Sequence, residues 1–450
     1  MATTTTPTQV ATAGAFLARK LGASFAPIAL LFALLCVPLI LSDAPDANGY
    51  TKDERTYHLP AVRQIRARWP RLDIVSDSLS AASPGYHYFL ATVSLITTTE
   101  TWPLRFVTWL VSLALLWLLW GLFPAHSRPL ATATLLPLVC SNFFVKGASW
   151  VVTDNPALLC VAVTLAMALR DFERNSVWGC AALGSAATFI RQMNVWTAFP
   201  IALRGMHEAL SAKPKSLRRF APIAALAPVA ILAILAQYWH GLVPPKWHVV
   251  SYQNESGSAV SLCYILAVFA IFGPFYRLAL PIGDLREEIL NRWTLLGAVS
   301  GVILASISRS DYSKAMGRFG GYLWAAVAHL PVLSSRSIVF LILAPCGGAL
   351  FANMSLVLFR FVGRERGILW LGSYLAWAAT FLPNRQIFQR YFEPTTLVFL
   401  VLWLLLLLQY WPELRAKRPQ WLLTLAVVQV LITLATAYSR TFGHGLFPAY

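Results

Sequence analysis

Charge is what this sequence has least of. Only 12% of its 450 residues are Asp, Glu, Lys or Arg, while 57% are hydrophobic and the mean hydropathy is +0.60. Soluble domains carry about 25% charged residues, so there is too little polar surface here to cover a water-soluble fold, single or multidomain. Acid is scarcer still than base, 19 against 36, for a net charge of +17. In a membrane chain that excess belongs to cytoplasmic loops, and no nucleic-acid partner is expected. The six cysteines (Cys36, Cys140, Cys160, Cys180, Cys263, Cys346) lie in apolar segments without paired spacing. No disulfide framework or zinc site follows from them, and they read as small core residues. No metal-ligand cluster, Gly-rich phosphate loop or dinucleotide fingerprint is present, so neither a metal nor a cofactor is expected. An internal repeat is missing too.

What is present is a series of apolar runs. A membrane span needs about 20 largely apolar residues. Candidates fall at roughly 25–41, 104–123, 129–146, 155–170, 177–190, 195–210, 221–240, 260–280, 292–307, 337–359, 367–383, 394–411 and 420–438. The expectation is an all-α polytopic membrane protein of about 13 transmembrane helices. Residues 1–24 read as a disordered cytoplasmic N-terminus, 25–440 as one transmembrane domain and 441–450 as a tail. Pro84–Thr99 and Gly320–Leu333 are short and bounded by Pro or Gly, and are assigned to in-plane or re-entrant helices. With Arg19 and Lys20 inside, alternation places the connectors at 126–128, 170–174, 213–219, 277–292, 360–367 and 412–419 in the cytoplasm, and each is basic or mixed with basic residues.

The opposite face carries basic residues the rule disfavours: Arg191, Lys246, Lys314, Arg318, Arg385 and Arg390. Singly these are read as headgroup snorkelling; as a set they favour an anionic ligand on that face. The first external loop, 42–103, is too long for a simple connector. Within it Pro60–Trp69 reads as an amphipathic helix with Val62, Ile65 and Trp69 on one side. Just before it stand Asp53, Glu54, Tyr57 and His58. The acidic pair either helps satisfy a helix N-terminus or supplies a general base at the membrane surface; only one of two adjacent carboxylates can point into a site, and on the functional reading Asp53 is the base, with Glu54 and His58 orienting acceptor or base. Asp154 opens a later span and is either a helix cap, a role Asn155 could equally fill, or a functional acid at the membrane boundary.

Four fragments carry a resemblance. They are Tyr50-Thr-Lys-Asp53-Glu54 with Tyr57-His58-Leu-Pro60; Ser83-Pro84-Gly85-Tyr86; Phe189-Ile-Arg191-Gln192-Met-Asn194-Val-Trp196; and Arg390-Tyr391-Phe392-Glu-Pro394. Together with the long first loop they resemble the GT-C superfamily of integral-membrane glycosyltransferases. Within it they resemble the dolichyl-phosphate-glucose α-1,2-glucosyltransferases that add the terminal glucose to the lipid-linked oligosaccharide. The aromatic-His pair sits one residue later than in that family's pattern, and 240–330 matches poorly.

The resemblance implies inverting transfer of glucose from a polyprenyl (dolichyl) phosphate donor to a lipid-linked oligosaccharide, in N-glycan precursor assembly. It implies Asp53 and Glu54 as the catalytic carboxylates, one of them the base, with donor phosphate held by Arg390, backed by Arg191, Lys246, His248 and Arg318. His58, Tyr86, Asp154, Gln192, Asn194 and Tyr391 would contact substrate, and Tyr391 and Trp247 would stack on sugar rings unless they are interfacial anchors. The missing nucleotide motifs argue against a nucleotide-sugar donor. The implied location is the endoplasmic reticulum membrane with a luminal site, or the inner membrane of a bacterial host. The sequon Asn254-Glu-Ser256 falls on that luminal face. Alternatives are a GT-C enzyme of mannosyl or aminoarabinosyl type and a secondary transporter of an anionic substrate.

Overall fold

A computed structural model describes residues 24–42, 49–170, 176–210, 217–248, 259–280, 282, 290–384, 386–411 and 418–442. The first 23 residues, the tail beyond 442, the 254–256 sequon, Arg385 and parts of the basic connectors lie outside them.

The chain begins with α1 (Ala26–Leu41), then α2 (Gly49–Asp53), which runs through a π turn (Glu54–His58) into α3 (Leu59–Arg68). There follow α4 (Gly85–Val93), α5 (Thr101–Leu122), α6 (Arg128–Val139), α7 (Asn142–Ser149), α8 (Asp154–Leu169) and α9 (Ser176–Ile190). A 3-10 turn (Gln192–Thr197) leads into α10 (Ala198–Leu210), and another (Leu217–Ala225) into α11 (Leu226–Trp239). The remaining helices are α12 (Val260–Leu278), α13 (Arg292–Ile307), α14 (Tyr322–His329), α15 (Ile338–Phe361), α16 (Arg364–Ala379), α17 (Gln389–Tyr410) and α18 (Gln420–Thr433), the last continued by a second π turn (Leu434–Tyr438). Among the described residues the only strands form a two-stranded hairpin, Val332–Leu333 against Arg336–Ser337, which turns through left-handed Ser334 and Ser335.

This is a membrane protein by its surface. Leu30, Leu34, Leu226, Val299, Val427 and Leu431 are all largely exposed on helices whose other faces are already packed inside. A helix apolar on every side is stable only where the solvent is also apolar. Among the described residues six helices are long and apolar enough to cross a bilayer: Thr101–Leu122, Phe220–Trp239, Val260–Leu278, Ile338–Phe361, Gln389–Tyr410 and Gln420–Tyr438. Four shorter apolar helices accompany them: Ala26–Leu41, Asp154–Leu169, Val177–Ile190 and Arg292–Ile307.

At the centre stands α17, in which every side chain from Thr396 to Leu408 is buried. Helix α13 lies against α15 with no room for a side chain at the crossing. A Cβ on Gly297 would stand 2.3 Å from the Gly348 carbonyl oxygen, and one on Gly301 2.4 Å from that of Ala344. The G-x-x-x-G spacing thus serves close backbone approach, as in lipid-embedded helix pairs.

Several expectations need correction. The run 129–146 is not one straight span: it breaks at Cys140–Ser141 and turns by 76°, because Ser141 caps a new helix by accepting from the Phe144 N–H at 3.3 Å. The span at 195–210 opens as a 3-10 turn. Trp69 leaves the Val62–Ile65 stripe, since the helix ends there in an extended conformation (ψ 138°) and its ring is exposed. Leu59 takes its place, packing with Val62 and Ile65 on Tyr86, Leu90 and Leu104. Cys346 is exposed, unlike a core residue. Both segments expected in-plane are short helices, α4 of nine residues and α14 of eight, too short to cross.

Candidate functional site

The π turns at Glu54–His58 and Leu434–Tyr438 both border a cavity of about 1430 Å³. Its walls come from the ends of α2, α7 and α8, the 3-10 turn after α9, the Phe319–Tyr322 approach to α14 and the Pro383–Tyr391 approach to α17. Ends of helices expose unpaired backbone groups and abrupt changes of direction, so polar side chains converge there.

Two ion pairs meet in it. Asp53, the last residue before the first π turn, accepts from Arg390 Nη1 at 2.7 Å. Arg390, in the first turn of α17, also donates from Nη2 to the Tyr391 hydroxyl at 3.2 Å, and its guanidinium packs over the rings of Tyr50, Phe388 and Tyr391. Asp154, opening α8, is bound by Arg191 Nη1. It is therefore no helix cap, and neither is Asn155, whose amide donates to Ser112 and the Phe144 carbonyl. Arg191 has extended backbone where α9 gives way to the 3-10 turn, which swings it to 4.7 Å from the Tyr391 ring. Tyr391 is thus held between two guanidinium groups, each paired with a carboxylate.

Gln192 lines the cavity but spends its amide on the first loop, donating to the Ala81 carbonyl at 2.8 Å and accepting from Ser83. His58 also lines it, stacked on His87 with Nδ1 and Nε2 2.8 Å apart. Burial lowers the His58 imidazole to about 3, and burial beside His58 holds His87 well below its ordinary value. Both rings are neutral at physiological pH. Tyr57 meets Trp247 edge-on at 5.0 Å on another wall.

Six residues expected at the site are elsewhere. Glu54 is fully buried and faces away from Asp53, since successive helical residues diverge by about 100°. Its carboxylate takes Arg105 Nε at 2.9 Å and Nη2 at 2.6 Å and the Val151 N–H at 2.8 Å, while Arg105 Nη1 donates to the carbonyls of Ile40 and Ser42. It ties the first loop to α1 and α5 instead of touching substrate. Tyr86 is buried behind the site, its hydroxyl against Thr108 at 2.8 Å. Asn194 turns back to the Ala187 carbonyl at 3.3 Å, finishing α9. Arg318 is bound to Asp311 by its side chain at 3.0 Å and its carbonyl at 2.8 Å. Lys246 is exposed, and His248 Nε2 lies 2.9 Å from the Val243 carbonyl; neither lines the cavity.

Two important residues escaped the sequence reading. Lys146, embedded in an apparent span, lines the cavity and is only 5% exposed. The Ser141-Asn142 pair, a helix-start signal inside an apolar run, was the clue. Glu393, fully buried one turn beyond Arg390, accepts from Ser141 (2.7 Å), Tyr322, Gln389 (2.9 Å) and Gln429 (3.1 Å). Tyr322 can reach it because Gly320 and Gly321 have left-handed backbone (φ 81° and 110°) and pass flush against Gln389, where a Cβ on Gly321 would come within 2.5 Å.

The charged residues lining the cavity are Lys52, Lys146, Arg191 and Arg390 against Asp53 and Asp154, an excess of two positive charges. Among the described residues no group of His, Cys, Asp or Glu could hold a metal ion. No protein-family model, curated protein or solved structure matches the chain. The cavity itself must carry the functional reading.

Proposed function

We propose that the protein is an inverting membrane glycosyltransferase of GT-C type, with about thirteen spans, using a polyprenyl-phosphate sugar. The finer reading is glucose transfer from dolichyl phosphate to a lipid-linked oligosaccharide, at the luminal face of the endoplasmic reticulum or the outer face of a bacterial inner membrane. The observation that carries it is the Asp53–Arg390 pair, 2.7 Å apart in a large, net-positive cavity of a membrane protein. A carboxylate beside a guanidinium is the minimum for taking a proton from an acceptor hydroxyl while holding a leaving phosphate.

The donor's phosphodiester offers Arg390 a second anionic partner, which bidentate guanidinium geometry suits. The acceptor hydroxyl passes its proton to a carboxylate oxygen of Asp53. Its oxygen bonds to the anomeric carbon from the face opposite the phosphate. The carbon–oxygen bond to phosphate breaks, and the polyprenyl phosphate leaves with that electron pair and one further negative charge. Arg390, with Arg191 behind Tyr391, stabilises that charge from donors already held in place by their carboxylate partners. The Asp154–Arg191 pair orients Arg191.

The test is transfer by purified protein in detergent, comparing polyprenyl-phosphate-glucose, polyprenyl-phosphate-mannose and UDP-glucose with a lipid-linked oligosaccharide acceptor. Transfer from a polyprenyl-phosphate donor alone, lost in Asp53→Asn, supports the reading; transfer from none overturns it. The two-piece helix α6–α7 beside the cavity is also a feature of transporters. Sugar-phosphate uptake into vesicles without transfer would favour that second reading.

A further inference from the structure

The break between α6 and α7 is locked from α18. Ser141 takes the Phe144 N–H, the helical donor that would otherwise serve the Cys140 carbonyl. Thr433 serves that carbonyl instead, donating at 2.7 Å. Thr436, three residues on in the second π turn, donates to the side-chain oxygen of Asn142 at 2.7 Å. The 76° turn thus sets Asn142 on the cavity wall, at the start of a helix whose eight residues are all buried.

Asn142 is itself only 3% exposed. Its amide has an oxygen that accepts and an NH2 that donates. Thr436 occupies the oxygen, and the NH2 has no partner among the described residues, although Asn142 borders the cavity. A buried donor left without an acceptor is costly, the more so in a membrane protein, unless a ligand supplies one. A sugar hydroxyl does so, and a neutral amide suits it without bringing in charge.

The phosphate site is close by. Phe143, next in the chain, accepts from the Tyr50 hydroxyl through its carbonyl at 3.5 Å, and the Tyr50 ring lies 5.3 Å from the Arg390 guanidinium. One tyrosine therefore separates this wall from Arg390, and the group bonded directly to a phosphate on Arg390 is the donor's sugar.

We propose that Asn142 reads a hydroxyl of the donor's sugar through its side-chain NH2, with Thr436 as the positioning residue that fixes the amide. The inference rests on the glycosyltransferase reading of the cavity. A sugar lacking that hydroxyl leaves the buried NH2 unpaired, which makes Asn142 a determinant of specificity.

The experiment measures binding of radiolabelled probes to the full-length protein in lipid nanodiscs, which keep sugar-based detergents out. The probes are farnesyl phosphoryl glucose, farnesyl phosphoryl mannose, each monodeoxy form of the tighter binder, and farnesyl phosphate as the sugar-free control. In wild type, one monodeoxy form should bind about tenfold more weakly than its parent. Asn142→Leu should weaken the parent by about tenfold and bind that deoxy form and the parent alike, the mark of a contact between this residue and that hydroxyl. Thr436→Val should lose about threefold on the parent, and farnesyl phosphate should bind both variants as it binds wild type. A deoxy penalty that persists in Asn142→Leu, or an equal loss of farnesyl phosphate, overturns the proposal. So does a wild type that binds every monodeoxy form as tightly as the parent, a result that needs no variant to fold. A raised KM for the oligosaccharide acceptor in Asn142→Leu, with donor binding unchanged, overturns the assignment to the donor's sugar. Asn142-dependent hydroxyl recognition without any sugar transfer sinks the enzyme reading alone. Transfer by Asn142→Leu with unchanged kcat and donor KM sinks this proposal alone.

Discussion

Two neighbouring carboxylates, Asp53 and Glu54, should answer to different assays. Glu54 is completely buried and satisfies Arg105, itself 3% exposed, with contacts at 2.6 to 3.2 Å. Glu54→Gln leaves that guanidinium buried without a counter-charge, which costs about 3–5 kcal/mol. An unfolding entropy of about 2.1 cal/mol/K per residue makes that a fall of about 3–5 °C in Tm for a chain of this length. Asp53 is a quarter exposed, and its bond to Arg390 lies in a cavity open to solvent. Its loss costs about 1 kcal/mol or less. Asp53→Asn should therefore melt within about 1 °C of wild type while sugar transfer falls by about 10² or more. Thermal melts by intrinsic fluorescence, run beside the transfer assay, separate the two. The double variant Glu54→Leu/Arg105→Met should recover much of the stability lost by Glu54→Gln, because no unpaired charge remains. A Glu54→Gln protein as stable as wild type, or an Asp53→Asn protein that loses stability instead of transfer, would refute the division of labour.

Three further outcomes follow from the structure. The neutral His58–His87 pair has imidazoles held below their unfolded value of about 6.5, so its stabilisation is complete above that pH and is lost as pH falls towards about 3. At pH 5.5 the loss is about 1.4 kcal/mol per ring, and Tm should fall by about 3 °C from its value at pH 7.5, with roughly half that fall in His87→Gln. Arg390→Lys keeps the charge but cannot serve Asp53 and Tyr391 together in the guanidinium's planar geometry; kcat for sugar transfer should fall by about 10² while Tm barely moves. Gly297→Leu drives a side chain into the Gly348 carbonyl, so the protein should lose its monodisperse peak in size-exclusion chromatography, whereas Ser300→Leu on the exposed face should not.

Much of the cavity was legible because scarcity made its residues conspicuous. Asp53, Asp154, Arg191 and Arg390 are charges at the edges of apolar runs, and a polar side chain there needs a reason. The assignments that failed did so for want of a direction or a partner. Glu54 differs from Asp53 in sequence by one place and in space by about 100° of helix rotation. Arg318 stood with the phosphate ligands until Asp311, seven residues away, took it. Lys146 passed as the end of a span because hydropathy averages over a window and does not register a 76° bend.

Composition alone determined the solvent of this protein, since 12% charge cannot clothe a soluble fold, and it determined helices, since only they satisfy their own backbone in lipid without closing a barrel. It also narrowed the chemistry to a few ionisable residues. Which of them meet was decided by tertiary structure. Asp53 and Arg390 are 337 positions apart, Asp154 and Arg191 37, and Glu393 and Ser141 252. No periodicity encodes such pairings, because each depends on how whole helices pack and where their ends fall.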